Sequence, residues 1–226
     1  FLDAKGEELP FGGGSLGRLA RIDMSGLDPR IKNTTIIVAC DVDNPLCGPK
    51  GASAVFGPQK GATPEKVKIL DHNLAHYARI IKEQLGKDIL NLPGAGAAGG
   101  LGAGLVSLLG ATLKPGIDIV ISSTKLEEKI KGADMVITGE GRTDYQTAHG
   151  KAPVGIAKVA KRLGVPVIAI SGGLGENYQA VYEAGLDAVF SIAPGPITLE
   201  QALERGRIYL KAQAVNIARL LHAWNR

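Results

Sequence analysis

Residues 134–151 read DMVITGEGRTDYQTAHGK, and this stretch decides how the second half of the chain folds. Met135–Ile137 is a short apolar run, which predicts a buried parallel strand. Polar and charged side chains follow directly, ahead of a helix indicated by Pro153. Open α/β sheets bind ligands at the carboxyl ends of their strands. The sequence therefore predicts a ligand site in the segment after this strand.

The chemistry of this segment suits a cation, a phosphate and a hydroxyl together. It supplies two carboxylates, a guanidinium, an amide and an amine, on Glu140, Asp144, Arg142, Gln146 and Lys151. A solvated loop would also be polar. Gly139 and Gly141 instead indicate tight backbone geometry, which favours a functional segment.

The rest of the chain alternates between strand and helix patterns. A β-branched strand is predicted at 34–39, and a helix starts at Pro64 after an N-cap at Thr63 and closes at Gly86. Beyond residue 113 the pattern gives strand 134–138, helix 153–163, strand 166–171, helix 177–184 and strand 187–192. A last helix starts at Thr198, which forms a capping box with Gln201. This order predicts an α/β fold with a parallel sheet and right-handed crossovers.

Composition limits the classes of partner. The chain has 226 residues and is 45% apolar, which supports a proper core. Aromatic residues make up only 4%, which argues against stacking platforms for nucleic acid. The net charge of +4 is spread along the chain, so we expect anionic small molecules rather than nucleic acid. No apolar run reaches transmembrane length, and two cysteines without a CxxC pair predict reduced thiols in a cytoplasmic protein.

Residues 94–104, GAGAAGGLGAG, allow three interpretations. Gly94–Gly99 matches GxGxxG, and Asp118 has the spacing of a dinucleotide fingerprint, but residues 89–92 make only a weak preceding strand for NAD(P) binding. Small-residue helix packing is the second interpretation. The third is an anion site on backbone amides at a helix N-terminus, formed by Gly94, Gly96, Gly99 and Gly100.

Charged residues at two other places in the chain are also candidates for binding a ligand. Lys60 lies on a glycine-flanked loop just before a helix, where it would contact phosphate or simply be solvated. Asp41 and Asp43 follow the strand at 34–39 and would hold Mg²⁺ through water or form Asx-turns.

Several long segments together resemble one known family. They are CDVDNPLCGPKGASAVFGPQKGATPE, GAGAAGGLGAGL, LKPGIDIV, ADMVITGEGRTDYQTAHGKAPVGIAKVAKR and GLDAVFSIAPGPITLEQAL. These segments resemble the bacterial glycerate kinase family of the two-domain type, which transfers phosphate from ATP to D-glycerate. The resemblance runs in unbroken order from about residue 9 to the C-terminus.

The resemblance implies a Rossmann-like domain built from both ends of a longer chain, with a second α/β domain inserted. On that view residues 1–112 are the later part of the inserted domain and residues 113–226 are the C-terminal part of an incomplete Rossmann-like domain. The chain starts at Phe1 and would lack the family's N-terminal portion. We therefore expect self-association or a complementary N-terminal segment, and the alternative is a fragment without catalytic activity.

The resemblance also implies the substrates ATP and D-glycerate, with Mg²⁺ and commonly 2-phosphoglycerate as product. Glu140 and Asp144 are the candidates for holding Mg²⁺ or accepting the hydroxyl proton, with Asp41 and Asp43 as further metal candidates. Arg142 and Lys60 would bind the glycerate carboxylate or the transferring phosphate. Gln146 and Lys151 are further candidates for binding substrate or phosphate. A dehydrogenase using Gly94–Gly99 for NAD(P) is the competing hypothesis.

Overall fold

The computed structural model describes residues 1–224, which divide into two compact units. The first unit is Phe1–Gly116, and the second starts at Ile117. The boundary predicted from the sequence follows residue 112, and the assignment of the two parts to domains of the family stays a prediction. The final two residues of the predicted segment 113–226 lie outside the described residues.

The first unit consists of helices and a two-stranded parallel sheet. Its strands are β1 (Ile37–Ala39) and β2 (Thr112–Lys114), with Val38 opposite Leu113. Its helices are α1 (Ala52–Phe56), α2 (Pro64–Leu85) and α3 (Leu101–Leu109), with 3-10 turns at Gly13–Arg18, Pro29–Asn33, Pro58–Lys60 and Ala97–Gly99. The predicted strand 34–39 is shorter than expected because Thr34 closes the preceding turn, where its hydroxyl donates to the Arg30 carbonyl at 2.7 Å.

Helix α2 confirms the prediction from its capping residues. The Thr63 hydroxyl accepts the Lys66 amide at 3.3 Å, and Pro64 occupies the first turn. At the other end Gly86 adopts φ 68°, a left-handed conformation that glycine adopts without steric cost, and its amide reaches the Lys82 carbonyl.

Side chains of α2 form the centre of the first unit. Leu74 and Ile81 pack with Leu46 and Ile89 in one buried cluster. Gln84 ties the N-terminal segment to this helix, because its side-chain amide donates to the Ala20 carbonyl at 2.7 Å and its oxygen accepts the Ile22 amide at 2.9 Å.

The second unit is a three-stranded parallel sheet with helices, so the predicted α/β class is confirmed. Its strands run in the order β3 (Val136–Thr143), β4 (Val167–Leu174) and β5 (Ala188–Ser191). Its helices are α4 (Gly116–Ser123, which starts one residue before the unit boundary), α5 (Leu126–Ile130), α6 (Ala152–Arg162), α7 (Ala180–Glu183) and α8 (Leu199–Trp224), with a 3-10 turn at Thr147–His149. Val154 and Ala157 of α6 pack against Val167 in its core.

Three details of the second unit differ from the sequence prediction. β3 continues past the predicted end at residue 138, so Glu140 and Arg142 lie on the strand rather than in a loop. The strand is also not fully buried: Ile137 is 53% exposed, because β3 is an edge strand within the described sheet and pairs there with β4 alone. The predicted helix 177–184 is reduced to Ala180–Glu183, because Asn177 has φ 52°, which a right-handed helix excludes.

None of the helices within residues 1–224 combines the length and apolar character needed to cross a bilayer. Cys40 and Cys47 are both free thiols. Burial, and then the nearby Asp71 carboxylate, raises the pKa of Cys47 to about 12, so this thiol is not a nucleophile near neutral pH.

Two helical glycines provide a matched test of this packing. At Gly155 in α6, a Cβ would collide with Cγ1 of Ile117 at the start of the second unit, whereas at Gly206 in α8 a Cβ meets nothing within 4 Å. We expect Gly155→Ala to lower the free energy of unfolding by about 1–3 kcal/mol through overpacking. Gly206→Ala should raise it by up to about 1 kcal/mol, because alanine favours the helix. Urea unfolding of both variants checks this, and equal effects would contradict the close packing at Gly155.

Candidate functional site at the carboxyl ends of β3 and β4

The pairing of β3 with β4 brings the polar residues of the second unit together. Glu140 lies opposite Ser171 in the parallel register, and Arg142 lies opposite Gly173. The two strands approach closely at glycines. A Cβ at Gly139 would lie 2.5 Å from the Ile170 carbonyl oxygen, and one at Gly172 would collide with the Gly141 carbonyl. Glycine at both positions therefore permits the pairing that places Glu140 beside β4.

Two hydroxyl groups bind one oxygen of Glu140, and a third hydroxyl lies behind them. The hydroxyls of Thr143 and Thr147 donate to Oε1 of Glu140 at 2.8 and 2.7 Å. Ser171 Oγ lies 2.6 Å from Thr143 Oγ1. All three hydroxyl residues are fully buried, whereas Glu140 is only half-buried. The carboxylate is therefore anchored from the protein side.

The other oxygen of Glu140 is open. Within residues 1–224 no donor group reaches Oε2, and no fully buried side-chain oxygen in that range lacks a partner. Oε2 must therefore be accessible to solvent. A carboxylate with one anchored oxygen and one accessible oxygen can accept a proton or bind a cation without changing its position.

Asp144 lies next to this network in a basic environment. Its Oδ1 accepts the Gln146 amide at 2.9 Å and lies 3.5 Å from Nζ of Lys151, and Nε of Arg142 lies 4.0 Å from Oδ2. Desolvation raises the pKa of Asp144, but the Gln146 amide and the Lys151 ammonium lower it more, so the net pKa lies below its ordinary value. Asp144 is therefore a fixed negative charge at neutral pH and a weak base.

The five residues predicted for this segment thus lie in one place. Thr147 links the two carboxylates, because its hydroxyl donates to Glu140 and accepts the Asp144 amide at 3.2 Å. The Gln146 side chain donates to the Tyr145 hydroxyl at 3.3 Å and is exposed. Arg142 and Lys151 are also exposed, so both cations are accessible to an anionic ligand.

In the first unit, Lys60 and Gly99 line the same cleft. Its volume is about 380 Å³, and its wall includes Ser53, Phe56 and Lys66. The cleft is mostly apolar apart from its two lysines and one hydroxyl. It therefore suits a small ligand with an anionic end.

The glycine-rich segment is packed against its own backbone. A Cβ at Gly94 would lie 2.8 Å from Sγ of Cys40, and one at Gly96 would collide with the Pro45 carbonyl. Three of the amides expected to hold an anion already donate to carbonyls, those of Gly96, Gly99 and Gly100. Packing thus accounts for Gly94 and Gly96. Residues 89–92 form no strand, so the context that a dinucleotide fingerprint needs is absent from the described residues.

The two aspartates that follow β1 have different surroundings. Oδ1 of Asp41 accepts the Gly116 amide at 2.7 Å, and Asp43 is exposed. Among residues 1–224 no group of three or more His, Cys, Asp or Glu side chains is arranged to hold a metal ion. Mg²⁺ in phosphoryl-transfer sites is commonly held by one or two carboxylates with substrate phosphates and water. Glu140 and Asp144 fit that smaller protein contribution.

Sequence patterns did not predict the contacts that Thr143, Thr147 and Ser171 make around Glu140. Hydroxyl residues are common in loops and strand ends, and their burial around a carboxylate is not visible in spacing. The one available signal was the position of Ser171 at the end of the predicted strand 166–171, whereas Thr143 lies beyond the predicted strand end at residue 138.

Comparison with known proteins places the chain in one family. A sequence model of the Glycerate kinase family matches residues 1–222. The chain is 54% identical to a glycerate kinase of Halalkalibacterium halodurans, over 100% of this chain and 59% of that protein. It is 52% identical to a glycerate 2-kinase of Escherichia coli strain K12, over 97% of this chain and 58% of that protein.

A solved structure gives the same result. A crystal structure described as a candidate glycerate kinase 2 of Salmonella typhimurium LT2 matches with a TM-score of 0.84 and 50% identity. It covers 99% of this chain, and this chain covers 58% of it. The chain thus spans less than two thirds of the length of the relatives it matches.

Gly175 and Gly173 provide a matched pair for testing the geometry around Asp144. A Cβ at Gly175 would lie 2.8 Å from Cβ of Asp144 and 2.9 Å from Nε of Arg142, whereas one at Gly173 meets nothing within 4 Å. We expect Gly175→Ala to lower the free energy of unfolding by about 1–3 kcal/mol and to displace Asp144. Gly173→Ala should stay within about 0.5 kcal/mol of the parent. Denaturant unfolding and crystal structures of the two variants measure this, and an unmoved Asp144 in Gly175→Ala would refute the contact.

Proposed function

The chain belongs to the glycerate kinase family, and on that premise we propose that it is part of an enzyme that transfers a phosphoryl group from ATP to D-glycerate. The product assigned here is 2-phosphoglycerate, the alternative that the name of the Escherichia coli relative favours. The substrates and product are proposals, because the chain spans only 58% of that relative.

One observation carries this proposal beyond family membership. Glu140 has one anchored and one accessible oxygen, and the accessible cations Arg142 and Lys151 flank Asp144 on the adjoining turn. Phosphoryl transfer needs positioning and charge neutralisation more than covalent chemistry from the protein. A proton acceptor beside two cations matches that requirement.

The proposed reaction assigns a separate role to each carboxylate. The 2-hydroxyl oxygen of glycerate attacks the γ-phosphorus of ATP, its proton passes to Oε2 of Glu140, and the bond from the γ-phosphorus to the bridging oxygen breaks to release ADP. Arg142 neutralises the oxygens of the transferring group, with bidentate geometry available to its guanidinium. Asp144 holds Arg142 and Lys151 in place through its negative charge.

Mg²⁺ is the expected cofactor of this reaction. Glu140 and Asp144 are the residues in the second unit that would hold it, and when bound it would neutralise phosphate charge. Asp41 and Asp43 stay candidate ligands, although Asp41 also binds the Gly116 amide.

The first unit is proposed to bind an anionic part of a substrate. Lys60 and Lys66 supply positive charge in a cleft of about 380 Å³, and Gly99 lines the same cleft. Among the glycines predicted as an anion site, Gly99 therefore fits a ligand contact better than Gly94 or Gly96, whose positions are explained by packing.

Exposed apolar side chains and free thiols bear on the association of the protein and on its location in the cell. Leu199 and Leu203 of α8 are each 75% exposed, and Ile137 of β3 is 53% exposed. Large apolar side chains of this kind favour a covering partner, either a second copy or a complementary segment of the family fold. The two free thiols favour the cytoplasm as the location.

Replacement of Asp144 tests the proposed catalytic centre. We expect Asp144→Asn in the whole protein to lower kcat for ATP-dependent phosphorylation of D-glycerate by at least about 10²-fold, because a fixed charge at the transferring group is lost. Asp134→Asn is the matched control, since Asp134 is an exposed carboxylate just before β3. Coupled measurement of ADP release gives both rates, and near-normal turnover of Asp144→Asn would remove Asp144 from the centre.

Replacement of Lys60 tests the cleft of the first unit. Lys60→Met should raise KM for an anionic substrate about tenfold or more, because a charged hydrogen bond contributes about 1.5–3 kcal/mol. Lys68→Met is the control, since Lys68 is an exposed lysine on α2 outside the cleft wall. Unchanged KM values for both substrates in Lys60→Met would exclude this role.

A further inference from the structure

The hydroxyl groups around Glu140 form a directed hydrogen-bond chain. A threonine hydroxyl has one hydrogen to donate, and Thr143 donates it to Oε1 of Glu140. In the 2.6 Å contact between Thr143 and Ser171, Ser171 must therefore be the donor. The hydrogens thus run from Ser171 through Thr143 to Glu140.

Thr147 completes the arrangement from the other side. Its hydroxyl hydrogen also goes to Oε1 of Glu140, and its oxygen accepts the backbone amide of Asp144. Both donations converge on the same carboxylate oxygen. The amide at Asp144 fixes the direction of Thr147, so Thr147 also couples the positions of the two carboxylates.

The Thr143 hydroxyl can reach Glu140 only if the regular alternation of side chains along β3 is interrupted between them. Along β3 half-buried and exposed residues alternate from Val136 to Glu140, but Gly141 and Arg142 are both exposed and Thr143 is then fully buried. An uninterrupted alternation would place Glu140 and Thr143 on opposite faces. The break lets Thr143 reach the carboxylate three residues before it.

We propose that Thr143, Thr147 and Ser171 are positioning residues, which hold Oε1 of Glu140 so that Oε2 is directed to the reacting hydroxyl. This inference rests on the proposed function for the role of Oε2, while the holding of Oε1 rests on the contacts alone. The three residues do not touch substrate; they act through Glu140. Two features separate this role from ordinary core hydrogen bonding. Both threonine hydroxyls donate to a carboxylate rather than to a carbonyl of their own turn, and the second carboxylate oxygen is left open to solvent.

Isosteric removal of the hydroxyls tests the proposal. Thr143→Val and Thr147→Val, assayed in the whole protein, should each lower kcat about 10- to 100-fold with KM changed less than about threefold, since misplacement of a reacting group affects the chemical step. Thr143→Ser, which restores the donor, should recover most of kcat. Thr138→Val is the matched control, as Thr138 is a half-buried threonine of β3 without a side-chain hydrogen bond among the described residues, and it should keep full activity.

A double-variant experiment with Glu140→Gln distinguishes a positioning role of Thr143 from a role in folding stability alone. In a Glu140→Gln background, Thr143→Val should change kcat less than about twofold, because the group it positions no longer accepts the proton. An undiminished effect of Thr143→Val in that background would overturn the proposal. If a valine variant fails to fold, Ser171→Ala serves instead, because it removes the outer donor and leaves both threonines; a kcat equal to that of the parent would then overturn the role of Ser171.

A structural measurement distinguishes this inference from the proposed function. Crystal structures of the parent and of Thr143→Val with Thr147→Val should show the Glu140 carboxylate in one position in the parent and displaced in the double variant. An unmoved Glu140 in the double variant refutes the positioning role whatever the enzyme phosphorylates. Absence of D-glycerate phosphorylation by the parent refutes the proposed function, and a displaced Glu140 would then still support the anchoring of Oε1.

Discussion

The parallel pairing of β3 with β4 is the constraint on which the site in the second unit depends. It sets Glu140 opposite Ser171, and it requires a close approach of the two backbones that Gly139 and Gly172 allow. Parallel strands of this length expose their carboxyl ends at one edge, where polar groups of neighbouring strands meet. Because Ser171 lies on β4 while Glu140 and Thr143 lie on β3, a shift in register would separate the Ser171 hydroxyl from the Thr143 hydroxyl.

The two carboxylates of this edge differ because their surroundings differ. Glu140 receives neutral hydroxyl donors at one oxygen and keeps the other open, whereas Asp144 is surrounded by an amide and two cations. A nearby positive charge favours the ionised form of a carboxyl group and lowers its basicity. Two acidic residues four positions apart thus have different hydrogen-bond partners and different neighbouring charges, and the proposal of separate roles for them rests on this difference.

Glycines of the first unit also allow close approach of backbone segments. In the segment 94–104 the glycines mainly allow chain to pass close to chain: Gly94 approaches Cys40, and Gly102 approaches the Gly94 carbonyl. The amides of this segment are largely satisfied by its own carbonyls, as buried backbone groups must be. The glycine-rich motif, whose sequence is typical of an anion-binding loop, thus serves in large part for packing, and the positive charges that line the cleft of this unit are on Lys60 and Lys66.

The sequence by itself determined the α/β class, the limits of α2 and the cluster of charged residues after residue 139, because capping, periodicity and strand-end position are local properties. Family membership was also readable, since long segments such as 134–151 resemble the family in unbroken order. Sequence patterns gave β3 too short an extent and too much burial, because strand ends and edge positions depend on which neighbours pair. Only the tertiary structure decided that Thr143 and Thr147 converge on one oxygen of Glu140, with Ser171 donating to Thr143 from the neighbouring strand. That convergence joins two strands and a turn, and it depends on a break in alternation at Gly141 and Arg142 that residue spacing does not encode.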